Sequence, residues 1–190
     1  MMVRFLTVFF VFVVVGCASN PVERVYLNKN LEYSLPINPW SGSPLSAFQQ
    51  VTVSYGKELA HFQAVVDVKQ DLATIVMLDL AGRRAIDIAW STQGIAIKSA
   101  DWLPENVKAA EILARLVLAF WPIEEARKGL PQNSTLRQTG FVRSVEQASQ
   151  TVVRMSRDGD NPWTSKTIID HGKSGFQIII SSSLRGAQTS

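Results

Sequence analysis

The chain has 190 residues, 46% of them apolar and 18% charged, enough for one globular domain with a real core. Its 19 basic and 16 acidic residues leave a formal charge of +3. Arg4 stands in the first segment, so the rest of the chain carries one basic residue fewer, a balance that argues against a nucleic-acid partner.

The first segment differs from all that follows. Arg4 is its only charge, and Phe5 to Val15 is an apolar run broken only by Thr7. Eleven helical residues span about 16 Å, roughly half of the hydrocarbon thickness of about 30 Å. This is the pattern of a signal-peptide core and not of a membrane span. Val14-Val15-Gly16-Cys17 follows at once and resembles the bacterial lipobox, in which small residues precede a cysteine that is acylated and becomes the new N-terminus. A thiolate is the natural acceptor for the diacylglyceryl group. Cys17 is the single cysteine of the chain, so it has no disulfide role within a monomer. Ala18 and Ser19 follow it, where an aspartate is associated with retention at the inner membrane, and the resemblance therefore implies the periplasmic face of the outer membrane. Palmitate and diacylglycerol together give firm anchoring, at about 0.8 kcal/mol per buried methylene.

The expected organisation is a signal peptide over 1–16, a lipidated N-terminus and tether over 17–48, and one domain over 49–190. The tether is rich in Asn, Ser and Pro (Pro21, Pro36, Pro39, Pro44), with a short strand allowed near Val25 to Leu31; Trp40 is either a plug folded onto the domain, the favoured reading, or a residue resting at the lipid surface.

From residue 50 the period changes to two. Val51, Val53 and Tyr55 share a face; Phe62, Ala64, Val66 and Val68 alternate with polar neighbours; Leu72 to Leu80 is apolar on both sides; Ile86, Ile88 and Trp90 continue the pattern; and Ile95 and Ile97 follow a Thr92-Gln93-Gly94 turn. Connections this short make neighbouring strands antiparallel.

One helix is expected from Pro104 to Phe120, its charges Glu105, Lys108, Glu111 and Arg115 on one stripe and the rest apolar. Strands resume near Phe141 to Val145, Thr151 to Arg157, Thr164 to Asp170 and Phe176 to Ser183, giving seven to nine in all.

Catalytic chemistry is hard to assemble from these residues. His61 falls on a presumed solvent face and His171 in an Asp-His-Gly turn, and both read as surface groups. No ligand-spaced histidines, nucleophile elbow or phosphate loop occur, so no enzyme, metal or cofactor is expected. The aromatic residues Trp90, Trp102, Phe120, Trp121 and Trp163 are either core or the lining of an apolar cavity. Alternation and helical spacing direct Phe62, Ile75, Ile86, Ile88, Trp90, Leu113, Leu116, Phe120 and Trp121 toward one interior, and these nine are the expected ligand-binding residues.

Ser54-Tyr55-Gly56, Phe62-Gln63-Ala64-Val65-Val66, Trp102-Leu103-Pro104, Leu118-Ala119-Phe120-Trp121-Pro122 and the late Gly175-Phe176 strand resemble small lipoproteins encoded beside aryl polyene pigment biosynthesis genes in Gram-negative bacteria. That family in turn is similar to LolA and LolB, the periplasmic carrier and outer-membrane receptor of lipoproteins. The resemblance implies an α+β fold, an antiparallel sheet curled into an incomplete half β-barrel with one main helix in its concave face. It also implies a non-enzymatic lipoprotein that binds an apolar acyl or polyene chain and assists its transfer or display. A structural or adaptor lipoprotein that binds another envelope protein is the alternative. The short turns after Lys69 and Ser91 carry no counterpart of the protruding apolar loop of LolB-type receptors.

Overall fold

The computed structural model describes residues 24–104, 107–171 and 175–186; Cys17 and the signal segment lie outside them. Among the described residues, β1 (Arg24–Asn28) and β2 (Leu31–Ser34) form a hairpin, followed by β3 (Leu45–Tyr55), β4 (Glu58–Lys69), β5 (Leu72–Asp79), β6 (Arg84–Ser91) and β7 (Gly94–Ser99). Helices α1 (Ala109–Phe120) and α2 (Ile123–Lys128) come next. Then follow β8 (Ser134–Thr139), β9 (Val142–Gln147), β10 (Gln150–Arg157), β11 (Lys166–Asp170) and β12 (Phe176–Leu184).

Ten strands make one antiparallel sheet in the order β7-β6-β5-β4-β3-β12-β11-β10-β9-β8. The two edges, β7 and β8, do not pair with each other, so the sheet stays an open half-barrel. Register places Ala47, Val66, Ile75 and Ile88 on one rung and Val51, Ile180 and Thr167 on another, all facing α1. The opposite face carries the exposed side of the alternation, including His61, Gln63 and Asp67. The architecture is the α+β half-barrel that the resemblance implies, and its antiparallel strands are those the residue pattern predicts.

Three details depart from the sequence reading. The sheet has more strands than expected because Thr135 to Thr139 holds a single apolar residue, Leu136, too little to stand out from a loop. Helix α1 starts at Ala109 and not near Pro104, since Lys108 is extended and Val107 N–H closes a turn onto the Pro104 carbonyl. The segment from Arg24 to Pro44, expected within a tether, is part of the folded body. Val25, Leu27, Leu31, Tyr33 and Leu35 are buried by the hairpin's packing on α1 and α2. The Ser34 N–H donates to the Gly129 carbonyl (2.9 Å) and the Tyr33 hydroxyl to that of Ala126 (2.9 Å). Only glycine fits at position 129, because a Cβ would lie 2.1 Å from the Ser34 carbonyl oxygen. Prolines conceal this packing, because they signal a loop whether or not the loop is covered.

Trp40 is the plug. Its indole N–H donates to the Ser43 carbonyl (2.9 Å), and its ring meets Trp121 edge-on with centroids 5.3 Å apart. Trp121 stacks on Trp90 at 5.9 Å, and Trp163 closes the group against Phe120 at 5.0 Å. Each such pair contributes about 0.5–1.5 kcal/mol beyond area burial. Among the described residues no helix is long and apolar enough to cross a membrane.

Candidate functional site

The two ends of α1 are held differently. Its C-terminal end is buried, and the last carbonyls of a helix have no partners within it. The helix has no basic residue in its last turn. Arg143, from β9, supplies the missing donor: its Nη1 reaches the carbonyl oxygens of Leu118 (3.1 Å), Ala119 (3.2 Å) and Trp121 (2.7 Å). Its Nε donates to Gln138 Oε1 (2.8 Å). A cation at this end is also favoured by the helix dipole. Burial, and then the neighbouring Arg157 charge, push the Arg143 guanidinium down to about 10.

The N-terminal end has none of this. Lys108 provides no side-chain cap, and Ala110, Glu111 and Ile112 are only half-buried, whereas every residue from Leu113 to Phe120 is buried. Beneath this looser half lies a gap between helix and sheet. It is lined by Ile112, Arg115 and Leu116 of α1, Gln49, Val51 and Val53 of β3, Ala64, Met77, Ile169, Ile178 and Ile180. Its volume is about 10 Å³, room for one water, whereas a small-molecule pocket needs about 300–1,000 Å³. Any larger ligand must part α1 from the sheet.

The nine residues expected to bind a ligand lie together in the concave face. Ile75, Ile86, Ile88 and Trp90 face Leu113, Leu116, Phe120 and Trp121 and are buried; Phe62 is half-buried against the same cluster. They fill the space, however, and do not surround it. Of the nine, only Leu116 borders the gap. The gap lies farther from the aromatic end than the sequence pattern predicts, because Trp40 and Trp163 pack there too.

Two polar gap residues were missed. Arg115 belongs to a charge stripe that reads as solvent-facing, yet it is 6% exposed. Its Nη1 contacts the Glu111 carboxylate (3.2 Å) and carbonyl (2.8 Å), and its Nε donates to His171 Nε2 (3.0 Å). Its Cζ also lies 5.1 Å from the Phe176 ring centroid. Gln49 is on the inner face by its parity with Val51 and Val53, and that signal was available in the sequence.

His171 is likewise corrected from surface to buried, because Arg115 reaches across from α1 to cover it. His61 is exposed, as expected, beside Thr52 Oγ1 (3.1 Å). An Nε2 that accepts from a guanidinium must be unprotonated. Burial, and then the Arg115 charge, accordingly push the His171 imidazole from 6.5 down to about 4. The unfolded chain then binds more protons than the folded one between these values. Stability conferred by neutral His171 is complete above 6.5 and is lost as pH falls toward 4. His171→Gln retains an acceptor for Arg115 and should flatten the loss over that window, measured by urea midpoints at each pH. An unchanged pH dependence would rule out this role.

A family described as "Protein of unknown function (DUF3261)" matches residues 46–184. The chain belongs to this family. In DUF3261 terms the match starts at the foot of β3 and ends in β12, so it spans the whole ten-stranded sheet and both helices and leaves out the β1–β2 hairpin. The chain is also similar to the crystal structure of a LolA superfamily protein from Nitrosomonas europaea, at 9% identity and a TM-score of 0.44, over 77% of this chain and 88% of that one. No curated protein matches the chain.

Proposed function

We propose that this protein is an outer-membrane lipoprotein, lipidated on Cys17 and facing the periplasm, that takes the apolar chain of a lipid between α1 and the concave face of the sheet and assists its transfer or display. The observation that carries the binding half of the reading is the unequal fixing of α1. Arg143 and the tryptophan group hold its C-terminal end, while its N-terminal half lies over an apolar gap without a side-chain cap. A helix held at one end opens by tilting about that end. The half-barrel then exposes Val51, Val53, Ile178 and Ile180 to an incoming chain. The driving force is about 25 cal/mol per Å² of apolar ligand area, less the costs of association and of moving the helix. The resemblance to lipoproteins encoded beside aryl polyene genes makes an acyl or polyene-lipid chain the class of ligand, and no catalytic step is invoked.

Titration with a fluorescent fatty acid tests the reading. Saturable enhancement at one site is expected, and its absence across detergent-free conditions removes the lipid role. The anchor is tested separately. Cys17→Ser should leave a full-length precursor that no longer takes up a palmitate analogue, and processing and labelling that persist in this variant eliminate the lipoprotein reading.

The dense packing of the other eight expected lining residues favours one second reading, an adaptor lipoprotein whose half-barrel is permanently filled and which binds another envelope protein.

A further inference from the structure

The gap under α1 is not uniformly apolar, and its two polar ends differ in kind. At one end is Arg115, a charged group already in contact with Glu111 and His171. At the other is Gln49, 1% exposed, whose Nε2 donates to Ser182 Oγ (3.2 Å) while its Oε1 has no hydrogen-bond partner in the protein. Thr167, 3% exposed, leaves its Oγ1 in the same condition, but it stands on β11, with β12 between it and Gln49, and it is not among the residues that line the gap. Between Gln49 and Arg115 the lining is aliphatic, with Val51, Val53, Ile178 and Ile180. Gln49 and Val53 are four residues apart on one extended strand, about 13 Å.

Leaving such groups unpaired in a core is unfavourable, and most buried polar groups in proteins are paired. A leucine would fit in place of Gln49 without that cost. We propose that Gln49 recognises a hydroxyl group at the inner end of an otherwise apolar ligand chain, whose acidic head lies toward Arg115. The inference rests on the lipid-binding reading above and names the class of lipid: an acid with a hydroxylated far end. A hydroxyl is specified because it both donates and accepts, and so satisfies the Gln49 amide whichever way its oxygen and nitrogen are turned. A charged terminus is excluded at that depth, since Gln49 would not neutralise it.

The test compares dodecanoic acid with its ω-hydroxy analogue as displacers of a bound fluorescent fatty acid. In an aliphatic pocket the added hydroxyl weakens binding by about tenfold or more, because it loses water and gains nothing. Here the hydroxy acid should bind about three- to tenfold more tightly than dodecanoic acid. Gln49→Leu should reverse that order while leaving dodecanoic acid bound, and Gln49→Met, which keeps the length of the side chain but removes the amide, should do the same if Gln49→Leu fails to fold. Equal affinities, or a weaker hydroxy acid, with dodecanoic acid still bound, overturn this inference and leave the lipid reading intact. Failure of both acids to displace the probe, or of the probe to bind, overturns both.

Discussion

Arg143→Leu should lower the stability of the folded protein by about 3–5 kcal/mol, read as a shift in the urea midpoint at constant slope. Nη1 alone contacts three carbonyl oxygens at the buried end of α1, and Nε contacts Gln138. Leucine fills the volume but supplies no donor, and each buried acceptor left unmade costs about 1–3 kcal/mol. Partial entry of water keeps the sum below three full penalties. A domain of this kind has about 5–15 kcal/mol in all, so the loss is a large fraction. Arg143→Lys preserves the charge but not the fork and should cost roughly half as much. A loss under about 1 kcal/mol for the leucine variant would mean that α1 is not fixed at this end, and the hinge-like opening proposed above would lose its pivot.

The second large effect separates packed core from ligand gap. Trp121 is 1% exposed and touches Trp40, Trp90 and Trp163, and its indole N–H donates to the Pro39 carbonyl. Trp121→Ala should cost about 3–5 kcal/mol, near the upper end of core truncations. Leu116 borders the gap, so neighbours already stand off from it on one side. Leu116→Ala should cost about 2 kcal/mol, the lower end of the same range, and should change fatty-acid affinity, because it widens the space the chain enters. Leu116→Glu, which places a charge there without a partner, should abolish binding. Equal stability losses for Trp121→Ala and Leu116→Ala, with no binding by the unmutated protein, would favour the filled-barrel adaptor.

Much of the fold was legible because alternation is a strong signal when one face is buried. The inward positions of β4, β5 and β6 follow directly from Phe62, Ile75 and Ile88 and their neighbours at spacings of two. Edge strand β8 was missed for the converse reason, since only Leu136 needs covering there. The candidate site was half legible. Periodicity shows which side chains share a face, and all nine of those residues do lie in the concave face. It does not report how much volume the opposite layer occupies, and that depends on Trp40 and Trp163, which arrive from irregular segments with no period. Arg115 and His171 escaped for a related reason. Each looks solvated along its own element, and only the packing of α1 beside β11 and β12 brings them together.

The hairpin of β1 and β2 also sets a length of leash. The first described strand begins at Arg24, not near residue 48, so on the proposal that Cys17 is the lipidated N-terminus only seven residue steps separate the acyl chains from it. At about 3.3–3.6 Å per residue that is a reach of roughly 25 Å at most. A body of this size is about 40 Å across, so an anchor at Cys17 would keep it within less than its own diameter of the bilayer surface. On that proposal, a protein tied this short would not carry a lipid across the periplasm; it would receive one delivered to the membrane, or lift one out and hold it at the surface.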